Sequence, residues 1–322
     1  MTISGRIMST PASRAPSLAS MGLRSQYHQA YSLWLFTYSD LKTIVGPKTT
    51  FGLCSSLSAE IFGVSPKSTR LILARTPLIL LWTWINLLPF AIDNQRQPLA
   101  IHEDGINKPW RPMPSGRVSP QQAKRWMLGL YPAAIVFSFC FGGLRQCVVL
   151  ILLGLWYNDL SGADKNPMIR NFINACGFLC YTSGAMEVAY GDVLHLTWDS
   201  LLLRWLGFIG AVVASSVHIQ DMYDQAGDRI RGRKTLPLVI GHWPSRLSIA
   251  AAVLFWSYFG LRFWNIGWPA YVPLVGLGGA VSIRTMTRRT VSDDKTTFKL
   301  WNLWLVVLYS IPLVKFWSGG AI

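Results

Sequence analysis

Three carboxylates, Asp221, Asp224 and Asp228, recur at intervals of three and four residues within DMYDQAGDRIRGRKTLP, which runs from 221 to 237. On a helix that spacing sets all three on one face. Carboxylates so grouped repel one another unless a hard divalent cation sits among them, and Mg²⁺ takes one or two carboxylates together with phosphate oxygens and water. The missing ligand is then a phosphate. Four cations follow at once, Arg229, Arg231, Arg233 and Lys234. They can neutralise the non-bridging oxygens of a diphosphate, Arg233 and Lys234 being the expected contacts, and Gly227 and Gly232 let the backbone approach. A solvated loop beside a membrane would account for the arginines but not for three acids among them.

A second segment, DNQRQPLAIHEDGINKPWRPMPSGR from 93 to 117, has the same character. Asn94, Glu103 and Asp104 are oxygen ligands for a second Mg²⁺, and Lys108, Arg111 and Arg117 are further phosphate contacts. Pro109, Pro112 and Pro114 stiffen the loop that carries those cations. The expected catalytic set is therefore Asn94, Asp104, Asp221, Asp224 and Asp228, with Glu103 added as a metal ligand.

Both segments begin where a long apolar run ends. With 51% hydrophobic residues, 13% aromatics and a net charge of +15 in 322 residues, the chain is too apolar for ordinary soluble domains. No basic stripe with exposed aromatics suggests nucleic acid. Runs long enough to cross about 30 Å of hydrocarbon lie near 43–63, 71–92, 122–142, 145–160, 168–190, 199–220, 245–263, 267–285 and 297–316. The first of these contains Pro47 and Lys48, and it can begin earlier as an amphipathic helix around Leu33. These runs give an all-α polytopic membrane protein of about nine transmembrane helices. Lys and Arg concentrate in the loops that also hold the acids, which places both acidic loops in the cytosol. Residues 1–27 carry Arg6, Arg14 and Arg24 and no acid. They read as a disordered basic tail in preference to a transit peptide, with the membrane domain spanning 28–322. The five cysteines have no metal or disulfide spacing and read as apolar filler. Glu187, inside an apolar run, is expected at the cavity. Asp40 and Lys42 are read as a pair.

NKPWRPMPSGR and DMYDQAGDRIRGRKTLP resemble the two signature loops of the UbiA superfamily of intramembrane prenyltransferases, and the likeness extends over roughly residues 30 to 316. The resemblance implies a helical bundle around a central cavity. Mg²⁺ and diphosphate would lie at its cytosolic mouth, with the prenyl tail among the helices. It also makes Arg170 and Asn174, in DKNPMIRNFINA, candidate diphosphate contacts. The second loop matches the three-aspartate pattern of the family in full. In the first, Asp104 matches the last aspartate, but the middle one falls on Ala100 and the leading asparagine on Arg96, so Asn94 fits only with altered spacing.

That departure makes the first loop resemble that of fungal membrane-bound terpene cyclases of UbiA type. The expected activity is therefore Mg²⁺-dependent ionisation of an allylic diphosphate, farnesyl diphosphate for choice, followed by cyclisation. Prenyl transfer to an aromatic or other acceptor is the alternative, and a transporter is the rival from another class. No nucleic acid and no obligate protein partner is expected. The expected location is the endoplasmic reticulum or another endomembrane.

Overall fold

The computed structural model describes residues 18–267 and 271–319, and among these every regular element is helical. Helix α1 (Leu18–Thr37) precedes a π-helical turn over Leu41–Val45, α2 (Gly46–Leu57) and the short α3 (Thr69–Ala74). Then come α4 (Thr76–Arg96), α5 (Pro98–Asn107), α6 (Pro120–Phe141), α7 (Leu144–Asn158), α8 (Gly162–Lys165) and α9 (Pro167–Tyr190). After these lie α10 (Leu201–Ser216), a 3₁₀ turn (Val217–Asp221), α11 (Gln225–Arg231) and α12 (Leu236–Val239). The last three are α13 (His242–Trp264), α14 (Tyr271–Thr287) and α15 (Val291–Trp317). The expected tail lies outside the described residues as far as 17, and Leu18 is already helical.

Local chemistry sets these boundaries. Ser119 and Asn166 cap α6 and α9 through their side-chain oxygens, each followed by a proline at the first helical position. Thr290 and Asp293 form a reciprocal capping box on α15. Gly191 closes α9 at φ +78°, a conformation that favours glycine.

Each expected apolar run falls on a helix or a broken helix over its described residues, residues 268–270 of the 267–285 run lying outside them. The first does begin earlier, as a helix around Leu33 allows, and reaches back to Leu18, because α1 and α2 form one path interrupted at Tyr38–Val45. Among the described residues four segments are, by length and composition, able to cross a membrane: Thr76–Arg96, Leu201–Asp221, His242–Trp264 and Val291–Trp317. Large apolar side chains such as Phe139, Leu152, Leu254 and Leu303 face outward, as lipid contact requires.

The helices pack in a ring: α2 on α9, α9 on α10, α10 on α13, α13 on α14, α14 on α15, and α15 back on α2, while α4, α6 and α7 close the other side. Small residues allow the close crossings. A Cβ on Gly184 would lie 2.1 Å from the Trp82 ring, and one on Gly52 would lie 2.7 Å from the Ala185 carbonyl oxygen. Three buried tryptophans satisfy their N–H groups on neighbouring helices: Trp82 on Ser138 (3.0 Å), Trp301 on Ser216 (3.1 Å) and Trp304 on Ser257 (2.9 Å).

Candidate functional site

The helical bundle encloses a cavity whose empty space, open mouth included, is about 1200 Å³. Its inner wall is apolar, with Ile44, Leu87, Phe90, Leu150, Phe178 and Tyr181. Its mouth is polar and carries Asn94, Glu103, Lys108, Arg111, Arg170, Asn174, Asp224 and Arg233. One end suits a charged group and the other an apolar chain.

The polar end is built by two packed elements, α5 and α11, each just beyond the end of a long helix. Asn107 joins them, donating to the Asp224 carbonyl (2.9 Å) and accepting from the Gly227 N–H (3.2 Å). A Cβ at Gly227 would lie 2.3 Å from the Asn107 amide nitrogen, so this approach requires glycine.

The carboxylates are distributed among cations and do not form one face. The chain from 217 to 231 is not a continuous helix: a 3₁₀ turn ends at Asp221, the chain bends through Met222–Asp224, and α11 starts at Gln225. Tightening to three residues per turn, followed by the bend, breaks the expected alignment. Asp221 accepts from Arg170 at 2.9 Å, and Asp224 pairs with Lys108 at 2.7 Å. Glu103 accepts from Arg231 (3.1 Å) and Arg233 (2.9 Å), while Asp104 is held by Arg111 (2.8 Å). Arg233 also donates to Asn94 (3.3 Å) and Asp164 (2.9 Å) and lies 3.6 Å from Asp228.

Of the residues singled out from sequence, Asn94, Glu103, Lys108, Arg111, Arg170, Asn174, Asp224 and Arg233 line the cavity. Asp104 and Asp221 stand one layer behind, each paired with a lining arginine. Asp228 is buried beside Arg233. Arg117 instead packs on α1, over the Tyr31 ring at 4.9 Å, and the Lys234 side chain is exposed. Two expectations are corrected. Glu187 does not reach the cavity: it pairs with Arg145 and accepts from the Leu194 N–H, which satisfies a charge the apolar helix could not leave bare. Lys42 donates to the Ser39 carbonyl and makes no ion pair with Asp40.

The sequence reading passed over Asp164, Tyr157 and Tyr223. Asp164 accepts from Arg231 and Arg233, and its carbonyl accepts from the Lys234 N–H. An acid beside Lys165 in a basic loop was the available signal. Tyr157 receives a hydrogen bond from Arg170, and the Tyr223 ring lies tilted against Phe298 at 5.7 Å. Neither shows a helical spacing that would single it out.

Among the described residues no three His, Cys, Asp or Glu side chains converge on one point. The donors nevertheless fit a hard cation. Asp221 Oδ2, Asp224 Oδ1 and both Asp228 carboxylate oxygens are buried without a hydrogen-bond partner, a costly state that a divalent ion would relieve. Arg111 Nε and Asn174 Nδ2 are buried donors without acceptors. A site with spare carboxylate oxygens and spare N–H donors side by side suits a metal and an anion together.

Electrostatics agree. Burial pushes Glu103 up, but Arg233, Arg231 and Lys108 outweigh it and leave the carboxyl below its ordinary value. Burial, and after it the Asp221 carboxylate, push Asp228 up to about 7, against Arg170 and Arg233. Because this folded pKa exceeds the unfolded one, the folded chain holds an extra proton between about pH 4 and 7. The contribution of Asp228 to stability is complete below that window and is lost as pH rises through it. The metal-free protein in detergent should therefore melt a few degrees lower at pH 8 than at pH 5. Asp228→Asn, which keeps the neutral shape, should melt higher than the parent at pH 8. Equal melting temperatures at pH 8 would count against this account.

The fold and site together define a helical membrane protein with a polar-mouthed, apolar cavity. The UbiA prenyltransferase family model matches residues 70–304, and the chain belongs to that family. That makes it a membrane enzyme of the prenyltransferase or terpene cyclase type. It is 29% identical over 290 residues to fumagillin beta-trans-bergamotene synthase of Aspergillus fumigatus, covering 88% of this chain and 91% of the relative. It is 26% identical to somaliensene A/B synthase of Streptomyces somaliensis, covering 90% and 94% respectively. Its fold matches a UbiA homologue from Aeropyrum pernix (TM-score 0.60, 17% identity, 83% of this chain and 96% of the other). It also matches an Archaeoglobus fulgidus homologue bound to GPP and Mg²⁺ (TM-score 0.55, 11% identity, 88% and 100%).

Proposed function

We propose that the protein ionises an allylic isoprenoid diphosphate, with farnesyl diphosphate the first candidate, and cyclises the resulting carbocation. The observation that carries this reading is the pairing of unsatisfied carboxylate oxygens with unsatisfied cationic and amide donors at the mouth of an apolar cavity. Support also comes from the similarity to two terpene synthases over most of the chain. A homologue of the same fold is bound to Mg²⁺ and a prenyl diphosphate.

Asp221, Asp224 and Asp228, with Asn94, Glu103 and Asp104 across the mouth, would hold Mg²⁺, which when bound neutralises diphosphate charge and makes it a better leaving group. Lys108, Arg111, Arg170, Asn174 and Arg233 bind and orient the diphosphate, and their fixed charges stabilise the negative charge that develops as the C–O bond breaks. The ion pairs behind them hold those charges in place before substrate arrives. Leu87, Phe90, Leu150 and Phe178 exclude water and fold the chain so that its distal double bond meets the cation.

The membrane frame of this reading has nine crossings, and both acidic loops face the cytosol of an endomembrane such as the endoplasmic reticulum. Membranes containing the protein, given farnesyl diphosphate and Mg²⁺ without acceptor, should form a cyclic hydrocarbon that is absent with EDTA. Silence until an aromatic acceptor is added would overturn cyclisation in favour of prenyl transfer.

A further inference from the structure

Three carboxylates line the cavity: Asp40, Glu103 and Asp224. Glu103 is taken up by Arg231 and Arg233, and Asp224 by Lys108. Among the described residues Asp40 forms no ion pair, and its side chain makes no cap hydrogen bond. The neighbouring cations are engaged elsewhere, Lys42 on the Ser39 carbonyl and Arg111 on Asp104.

The backbone around Asp40 points the same way. The path from α1 to α2 breaks at Tyr38–Asp40 and continues through the π turn Leu41–Val45, with the Asp40 carbonyl accepting from the Thr43 (3.0 Å) and Ile44 (2.7 Å) N–H groups. Irregular backbone within a membrane bundle is tolerated where it borders a cavity, and π turns concentrate at functional positions. Here Ser39, Asp40, Thr43 and Ile44 all line the cavity. The break therefore presents one carboxylate where the polar mouth meets the apolar wall.

We propose that Asp40 is the proton acceptor that ends the carbocation cascade, an assignment that rests on the cyclase reading above. A diphosphate would be repelled by this unpaired carboxylate, whereas a cation drawn along the apolar wall is attracted to it. The C–H bond adjacent to the final carbocation breaks, its electron pair becomes the new C=C bond, and the proton passes to an Asp40 carboxylate oxygen. The hydrocarbon leaves neutral, and Asp40 returns its proton to water at the mouth. The other polar groups along that wall, Ser39, Thr43 and Gln95, are hydroxyls and an amide, which are far weaker bases.

The test compares parent, Asp40→Asn and Asp40→Glu, each given farnesyl diphosphate and Mg²⁺ without acceptor, reading released diphosphate and product profile on the same sample. In Asp40→Asn the ratio of cyclic hydrocarbon to diphosphate released should fall about tenfold, with water-quenched alcohols and earlier-deprotonated olefins in its place. Asp40→Glu should restore part of the ratio. An unchanged ratio would assign the proton to the departing diphosphate and overturn the proposal. Loss of diphosphate release in both variants would also overturn it, by placing Asp40 in the ionisation step. A parent that makes no hydrocarbon sinks the cyclase reading and this assignment with it, and that outcome is distinct because it needs no substitution.

Discussion

Asp224→Asn and Asp221→Asn should each lower the rate of diphosphate release by about a thousandfold or more, the equivalent of about 4 kcal/mol of transition-state stabilisation. Asparagine keeps the volume and one acceptor oxygen, so the Lys108 contact to position 224 and the Arg170 contact to position 221 can persist. What disappears is one negative charge and the spare carboxylate oxygen at each site. Raising Mg²⁺ should recover some rate if metal affinity is what was lost. Single-turnover diphosphate release in detergent, with melting temperature measured alongside, is the decisive comparison. Turnover at the parent rate in both variants would exclude these aspartates from the chemistry and with them the enzymatic site described above. Position 221 adds a further consequence: with its partner neutralised, Arg170 is a buried cation held only by Tyr157, so Asp221→Asn should also melt lower than the parent.

Much of this site was legible in the chain. Helix ends are marked by Ser and Asn caps with prolines beside them and by a Thr capping box, and the acids cluster where two apolar runs stop. The sequence therefore places Asn94, Glu103, Lys108, Arg111, Asp224 and Arg233 in one region, and all of them line the cavity. What periodicity could not supply is how the charges pair. Asp221, Asp224 and Asp228 share a face only if the helix continues, and local tightening to a 3₁₀ turn is a response to packing that their spacing does not encode. Asp164 reaches Arg231 and Arg233 across 67 and 69 residues of chain, a distance over which no local pattern operates. The same limit explains Asp40. Its nearest cation in sequence is Lys42, which suggests a local pair, yet the break in the helix turns Lys42 to a backbone carbonyl and leaves the acid facing the cavity.

Arg233→Ala should cost about a hundredfold to a thousandfold in kcat/KM and also lower stability, because this guanidinium joins four elements. It donates to Asn94 at the end of α4, Glu103 on α5 and Asp164 on α8, and lies close to Asp228 on α11. Its side chain is 5% exposed. Removing it strands the Glu103 and Asp228 carboxylates in a buried setting, and breaking such a pair costs about 3–5 kcal/mol. Arg231 still holds one oxygen of Glu103, so part of the anchor survives. Asp228 loses a charge that opposes its upward shift and should take up a proton more readily, which sets proton and metal in competition for its oxygens. Arg233→Lys should fall nearer to alanine than to the parent, since one ammonium cannot reach Asn94, Glu103 and Asp164 with the planar fork that arginine presents. The measurement is kcat/KM for diphosphate release in parent and both variants, with Mg²⁺ titrated in each. Full activity in Arg233→Lys would show that the site needs only a positive charge there and not the joint between α4, α5, α8 and α11. Without that joint the two acidic loops keep only the Asn107, Lys108 and Arg231 contacts, and the cavity mouth is less firmly set before the substrate enters.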